Sequence, residues 1–275
     1  MPRMLIFGLG YAVGHLAARL RAEGWQVAAT RREADGEAIA FADSDAVRAE
    51  IAAATHILSS VPPAGDADSV LTTYGAALSA APAAWIGYLS STGVYGDTGG
   101  AWVDESAPVG RGRRSARAAA DLAWRALRPE VRVFRLPGIY GPGRSPLDRI
   151  RAGRAHRIDL PDQVFSRVHV DDIVSGLHAS FAGPPGTYNL ADDLPVSQNA
   201  VVEHGCALLG LDPPPLLSLD AAGLSPQARA FYAENRRVAN GRAKRLLGWT
   251  PLYPDYRVGL AALSRLRGDG AANRY

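Results

Sequence analysis

Three glycines, Gly8, Gly10 and Gly14, follow the apolar run Leu5-Ile6-Phe7. Glycines between a strand and a helix let the backbone turn tightly and approach a pyrophosphate, which then rests on unpaired N–H groups at the helix start. The usual spacing is Gly-x-Gly-x-x-Gly; here Val13 holds the third position and Gly14 comes one residue later. Gly8, Gly10, Tyr11, Ala12, Val13 and Gly14 are the expected cradle of a dinucleotide. The cofactor's identity is read further on. A dinucleotide without a 2′-phosphate is commonly held by Asp or Glu about 20 residues past the glycines. This chain has Thr30-Arg31-Arg32 instead. A hydroxyl and two guanidiniums suit a 2′-phosphate, because arginine can pair with phosphate through two parallel charge-assisted bonds. NADP(H) is therefore favoured over NAD(H).

These residues need a βαβ unit to hold them. Helical spacing runs from about Tyr11 to Glu23, with Val13, Leu16, Ala17 and Leu20 on one face, and Trp25 to Thr30 reads as the next strand. A short strand at Ala38–Phe41 follows, with Asp43 either near the adenine or capping a helix over about 45–54. Thr55–Ser60 is a fourth strand, closed by Val61-Pro62-Pro63 because proline cannot donate into a sheet. In a doubly wound sheet strand C-termini line the ligand crevice, which puts Ser59, Ser60, Val61 and Pro62 beside the cofactor. A helix over about 66–80 and a strand over 85–90 come next. The class expected is α/β, a doubly wound, mostly parallel Rossmann sheet.

After that strand comes Ser90-Ser91-Thr92-Gly93-Val94-Tyr95-Gly96. Here the chain resembles the short-chain dehydrogenase/reductase superfamily, in particular its extended, NAD(P)-dependent epimerase/dehydratase branch. The resemblance continues through Val103–Pro108, the acidic loop; Arg135–Gly143, the strand and loop beside the nicotinamide; Val168–Ile173, the return into the main sheet and next helix; and Thr187–Leu190, a late strand. It implies that Ser91 holds the catalytic-serine position and that Pro137, Gly138 and Ile139 lie by the nicotinamide. It also implies a Rossmann domain of residues 1–138 plus 166–190, and a smaller substrate-covering lobe of 139–165 plus 191–275. Within that lobe, Val201–Leu209 suits a helix, and Gly268–Tyr275 is expected as a mobile tail.

The chain departs from the family at the catalytic pair and in this resembles the atypical short-chain dehydrogenases. The family carries Tyr-x-x-x-Lys, whose lysine lowers the tyrosine's pKa for proton transfer. Aligned backward from Asp121, those positions hold Arg113 and Arg117, and the one lysine in the chain is Lys244. Arginine, with a pKa above about 12, is a poor proton carrier near neutrality, but a fixed guanidinium can stabilise an oxyanion or hold a carboxylate or phosphate. The proton donor is left open among Ser91, Tyr95, Tyr140, His169 and a bound water. The catalytic group expected is Ser91, Arg113, Arg117 and Tyr140. The activity implied is that of an NAD(P)-dependent oxidoreductase or epimerase/dehydratase-like enzyme, by hydride transfer on a small hydroxyl or carbonyl compound, sugar-derived as one option. A catalytically silent NADP(H)-binding sensor or scaffold is the alternative.

Composition narrows the class. A chain of 275 residues, 47% of hydrophobic type, can bury a full core. Its one cysteine, Cys206, excludes an internal disulfide framework and fits a reducing cytoplasm. No apolar stretch reaches the roughly 18 residues of a membrane span, and Met1-Pro2-Arg3 leads into a strand rather than a signal peptide. A soluble cytoplasmic protein is expected, with no metal and no membrane partner. The pI is about 9.2, yet a net charge of +3 with dispersed acids argues against nucleic acid. The partner expected is a small molecule, with an anionic one open because arginines concentrate at 111–117 and 144–157. A helix-pair homodimer, common in the family, is open too.

Overall fold

The computed structural model describes residues 1–65, 67–112 and 114–272. Seven strands form the central sheet: β1 (Arg3–Phe7), β2 (Gln26–Arg31), β3 (Ile39–Ala40), β4 (His56–Ser59), β5 (Trp85–Ser91), β7 (Val131–Leu136) and β11 (Gly186–Asn189). Their order is β11-β7-β5-β4-β1-β2-β3, and every neighbouring pair is parallel. Six short strands pair outside it: β6 (Trp102–Val103) with β13 (Arg237–Val238), β8 (Gly138–Tyr140) with β10 (Arg167–His169), and β9 (Arg157–Ile158) with β12 (Leu216–Leu217). The doubly wound Rossmann sheet expected from sequence is present.

Continuous apolar runs make this sheet because parallel strands are covered on both faces. In β1 the side chains of Met4, Leu5, Ile6 and Phe7 are all fully buried. They alternate: Met4 and Ile6 join one core, Leu5 and Phe7 the other. The first core takes Val13, Leu16, Ala17 and Leu20 from α1 (Tyr11–Ala22) and Ile173, Val174 and Leu177 from α6 (Val170–Ala179). The second takes α2 (Ser44–Ala53), α3 (Ser69–Ser79) and α4 (Ser115–Leu127) through Val47, Ile51, Val70, Tyr74, Leu78, Ala120 and Trp124. Asp43 caps α2, accepting the Ala46 N–H at 3.2 Å, so of its two expected roles it fills the cap. Asp68 caps α3, and Asp66, where that helix was expected to begin, lies outside the described residues.

A third apolar cluster joins Tyr140, Leu147 and Ile150 to Val201, Val202, Cys206, Tyr256, Leu260 and Leu263. It gathers α5 (Pro146–Arg151), α7 (Gln198–Leu209) and α10 (Tyr256–Ala272). The remaining helices are α8 (Pro226–Phe231) and α9 (Gly241–Leu247). Three expectations change here. The segment Val168–Ile173 does not return to the main sheet; β10 pairs with β8, because Pro137 lacks an N–H and takes the chain out of the ladder after β7. Ala243, Leu247 and Trp249, expected with the lobe, pack into the first sheet core. The tail from Gly268 continues α10 as far as Ala272, and residues 273–275 lie outside the described residues. No helix among the described residues is long and apolar enough to cross a membrane.

Candidate cofactor and substrate site

Strand order reverses at β1, which has β2 on one side and β4 on the other. Ligands of open α/β sheets bind in the crevice beyond the strand C-termini at such a point. There Gly8 adopts φ +80°, a left-handed conformation that favours glycine. A Cβ on Gly8 would also lie 2.9 Å from Val61 Cγ2. The turn is held from both sides: Gly8 N–H donates to Thr30 O at 3.1 Å, and the Ser60 hydroxyl donates to Gly8 O at 2.5 Å. Gly10 is the exposed N-cap of α1, with no capping side chain. The first N–H groups of α1, from Tyr11 and Ala12 onward, thus start beside an open glycine, as an anion cradle requires.

Some expected cofactor residues also hold the fold. The Thr30 hydroxyl is buried and accepts Gly8 N–H at 3.3 Å, which ties strand to turn. Val13 is buried in the first core, and a Cβ on Gly14 would meet nothing within 4 Å; Gly14 is therefore not a displaced close-packing glycine. Arg31 is ion-paired with Asp35 and lies 3.8 Å from Glu37, while Arg32 is exposed. Ser59 is fully buried, Val61 packs against the second core, and Pro62 is exposed. Farther along, Pro137 and Ile139 are half-buried and Gly138 exposed where β7 gives way to β8.

Ser91 ends β5 and opens the turn Thr92–Tyr95; its Oγ accepts Gly93 N–H at 3.1 Å. Beneath this turn runs a polar chain that sequence reading missed. Ser90 Oγ donates to Asp121 Oδ2 at 2.6 Å, and Asp121 pairs with Arg135 at 2.7 Å, both side chains wholly buried. Arg135 Nη1 donates to Tyr95 OH at 3.0 Å, which donates to Asn189 Oδ1 at 2.7 Å. Asn189 N–H donates in turn to Glu105 Oε1 at 2.7 Å. Burial pushes the Tyr95 phenol up to about 12, against the pull of the neighbouring Arg135 guanidinium. The acidic loop, the serine strand and β11 are locked together by this chain. Polar residues inside otherwise apolar strands, Arg135 above all, were the available signal.

No family model matches the chain. It is 30% identical over 306 residues to the 3-diazoavenalumate denitrifying reductase of a Streptomyces species, across 94% of this chain and 99% of that one. The chain belongs to the short-chain dehydrogenases/reductases, among the members that resemble NAD(P)-dependent epimerases/dehydratases. A functionally unknown conserved protein from Silicibacter pomeroyi DSS is 40% identical, with a TM-score of 0.87 over 97% of this chain and 99% of that one. The human epimerase family protein SDR39U1, solved with NADPH, shares the fold at 18% identity and a TM-score of 0.78, over 96% and 99% of the two chains.

Arg113, expected at the family's tyrosine position, lies outside the described residues. Arg117, expected at its lysine position, donates to Tyr88 OH at 2.9 Å and to Leu89 O at 3.4 Å, so its guanidinium is tied to β5. Tyr140 is 4% exposed, sits in the third apolar cluster against Gly259 of α10, and its OH has no hydrogen-bond partner. Burial, with the Asp192 and Asp172 carboxylates nearby, pushes that phenol far up. Among the described residues Arg114, the N-cap of α4, brings Nη1 to 3.5 Å from Ser91 Oγ.

Proposed function

We propose that the protein is an NADP(H)-dependent oxidoreductase acting on a small hydroxyl or carbonyl compound. The observation that carries this reading is the open glycine turn at the strand-order reversal, with Gly8 at φ +80° and the uncapped start of α1 above β1. A cradle in which a Cβ on Gly8 would crowd Val61 fits a dinucleotide that needs close backbone approach. Bound there, the dinucleotide supplies or accepts the hydride. Gly8, Gly10, Tyr11, Ala12 and Val13 hold its pyrophosphate, Arg31 and Arg32 its 2′-phosphate, and Ser60, Val61 and Pro62 line the floor. Pro137, Gly138 and Ile139 flank the reacting end. Ser91 binds the substrate oxygen. The lobe of residues 139–165 and 191–275 covers the substrate and excludes water, and the setting is cytoplasmic.

The relative named a reductase is consistent with this assignment. The silent-scaffold alternative has only the absent Tyr-x-x-x-Lys pair in its favour. The deciding experiment titrates the protein with NADPH and NADH, then follows NADPH oxidation across a panel of aldehydes and ketones. Tighter binding of NADPH and substrate-dependent oxidation abolished by Ser91→Ala are expected. Failure to bind either cofactor, or turnover indifferent to Ser91→Ala, overturns the assignment.

A further inference from the structure

We infer that Arg144, on the loop between β8 and α5, is a ligand of the dinucleotide's pyrophosphate, set over the glycine turn by the ring of Tyr11. This deepens the oxidoreductase reading and rests on it for the dinucleotide in that turn.

Tyr11 is the first residue of α1, directly after the uncapped Gly10, so its side chain leaves the backbone at the mouth of the cradle. Its hydroxyl donates to Pro142 O at 2.9 Å, which joins the glycine turn to a loop 131 residues farther on. That loop is held from within. Gly141 and Arg144 exchange backbone bonds, Arg144 N–H to Gly141 O at 3.0 Å and Gly141 N–H to Arg144 O at 3.4 Å. A Cβ on Gly141 would lie 2.6 Å from the Tyr11 hydroxyl and 2.6 Å from Val170 Cγ1, so only bare backbone fits between them. Ser145 then caps α5, its Oγ accepting Leu147 N–H at 3.1 Å. The backbone of Arg144 is thus fixed on both sides.

The guanidinium lies over the Tyr11 ring, with Cζ 5.7 Å from the ring centroid, inside the roughly 6 Å of a cation–π contact. Its donors are uncommitted. Elsewhere in the 144–157 run Arg151 stands 3.7 Å from Asp148 and Arg157 pairs with Glu203 at 2.7 Å. Arg144 is exposed and has no ion pair or side-chain hydrogen bond among the described residues. Burial raises the Tyr11 phenol, and of the charges around it Arg144 acts most strongly, pulling it down against Asp171 and Asp148. Neither carboxylate forms an ion pair with Arg144; Asp171 lies 3.5 Å from His169 Nδ1.

A pyrophosphate offers oxygens on more than one side, and backbone N–H groups at the start of α1 reach only one of them. The other needs a cation. A planar guanidinium meets a phosphate through two parallel bonds, and one stacked on a ring has given up much of its freedom before the anion arrives. Arg31 and Arg32 are proposed for the 2′-phosphate that NADP(H) alone carries. Arg144 acts on the part that NADP(H) and NAD(H) share.

The test is calorimetric titration of the full chain with NADPH and NADH at fixed ionic strength. Arg144→Met should weaken both by the same factor, about tenfold, the low end for a hydrogen bond to a charged group because the side chain is open to water. Thermal unfolding should be unchanged. Arg31→Ala, by contrast, should weaken NADPH and leave NADH nearly unchanged. Arg144→Lys should recover part of the loss, since a point charge replaces the fork. Tyr11→Phe keeps the ring, removes the tie to Pro142, and should weaken both cofactors about two- to fivefold. Equal affinities for Arg144→Met and the unaltered protein overturn the inference, and so does a loss confined to NADPH, which would place Arg144 at the 2′-phosphate. Failure of the unaltered protein to bind either dinucleotide overturns the cofactor reading itself, an outcome in which the variants play no part.

Discussion

Removing Arg31 should alter which cofactor the protein holds. Arg31 ends β2, its side chain 41% exposed, and it is ion-paired with Asp35. Asp35 is set for this by its own turn: Oδ1 accepts the Glu37 and Ala38 N–H groups, both at 2.9 Å, which leaves Oδ2 to the arginine. The Glu37 N–H first, and then Arg31, hold its carboxyl below the usual range, so it is charged at assay pH. A 2′-phosphate must therefore draw Arg31 away from a competing carboxylate, and exposed ion pairs of this kind yield readily. Arg31→Ala should weaken NADPH by the worth of a hydrogen bond to a charged group, about 1.5–3 kcal/mol, or about 10- to 150-fold, and leave NADH nearly unchanged. Asp35→Asn keeps the Oδ1 acceptor and the turn, removes the competitor, and should tighten NADPH about two- to fivefold. Fluorescence titration with both cofactors measures each variant. Equal weakening of NADPH and NADH by Arg31→Ala, or none, refutes the assignment of the 2′-phosphate to this strand end.

Three further outcomes follow from the geometry. Arg135→Met leaves the Asp121 carboxylate buried without its partner and should cost about 3–5 kcal/mol in urea unfolding, while Arg135→Met with Asp121→Leu should recover most of that loss; a single-variant loss near zero would show the pair to be inert. Tyr140→Phe removes a buried hydroxyl that has no partner and should leave turnover intact with stability unchanged or raised by about 1 kcal/mol; lost turnover would return Tyr140 to the site. His56 packs against Trp25 and Phe181, and burial, helped by Arg132, pushes its imidazole down to about 4. Its folded form is neutral where the unfolded chain binds a proton, so stability is lost as pH falls from about 6.5 to about 4. His56→Phe should flatten the dependence of the denaturation midpoint on pH in that window, and an unchanged slope would exclude His56 as its source.

What sequence made legible follows from how local each signal is. Leu5, Ile6 and Phe7 read as a strand buried on both faces because nothing in the run was polar, and each is fully buried. Val13, Leu16, Ala17 and Leu20 read as one helix face, and all four join one core. Ser91 was singled out because a Val-Tyr-Gly follows it at fixed spacing, and it does end β5. The approach of Arg114 to it was not legible, because the arginines from 111 to 117 cross from loop to helix and spacing carries no face information outside the helix. The length of α10 was hidden differently: Tyr256, Leu260 and Leu263 share a face at helical spacing, but the glycines beyond them read as a tail. The pairing of β8 with β10 joins segments far apart in sequence, and no local pattern announces it.

The polar chain beneath the serine turn changes what the missing Tyr-x-x-x-Lys leaves behind. Four protein groups stood open as proton donors, and the structure gives three of them other work. Tyr95 is held between Arg135 and Asn189 with its phenol pushed up to about 12, a poor match to the near-neutral pKa that acid catalysis favours. Tyr140 belongs to the lobe's apolar cluster. His169 accepts Asp171 N–H on Nδ1, is buried, and has its imidazole pushed down to about 4 by that burial, which keeps it neutral near pH 7. Ser91 and solvent remain. A serine hydroxyl is too weak an acid to replace a tyrosine activated by lysine, so in the proposed hydride transfer Ser91 would fix the substrate oxygen and the proton would come from water.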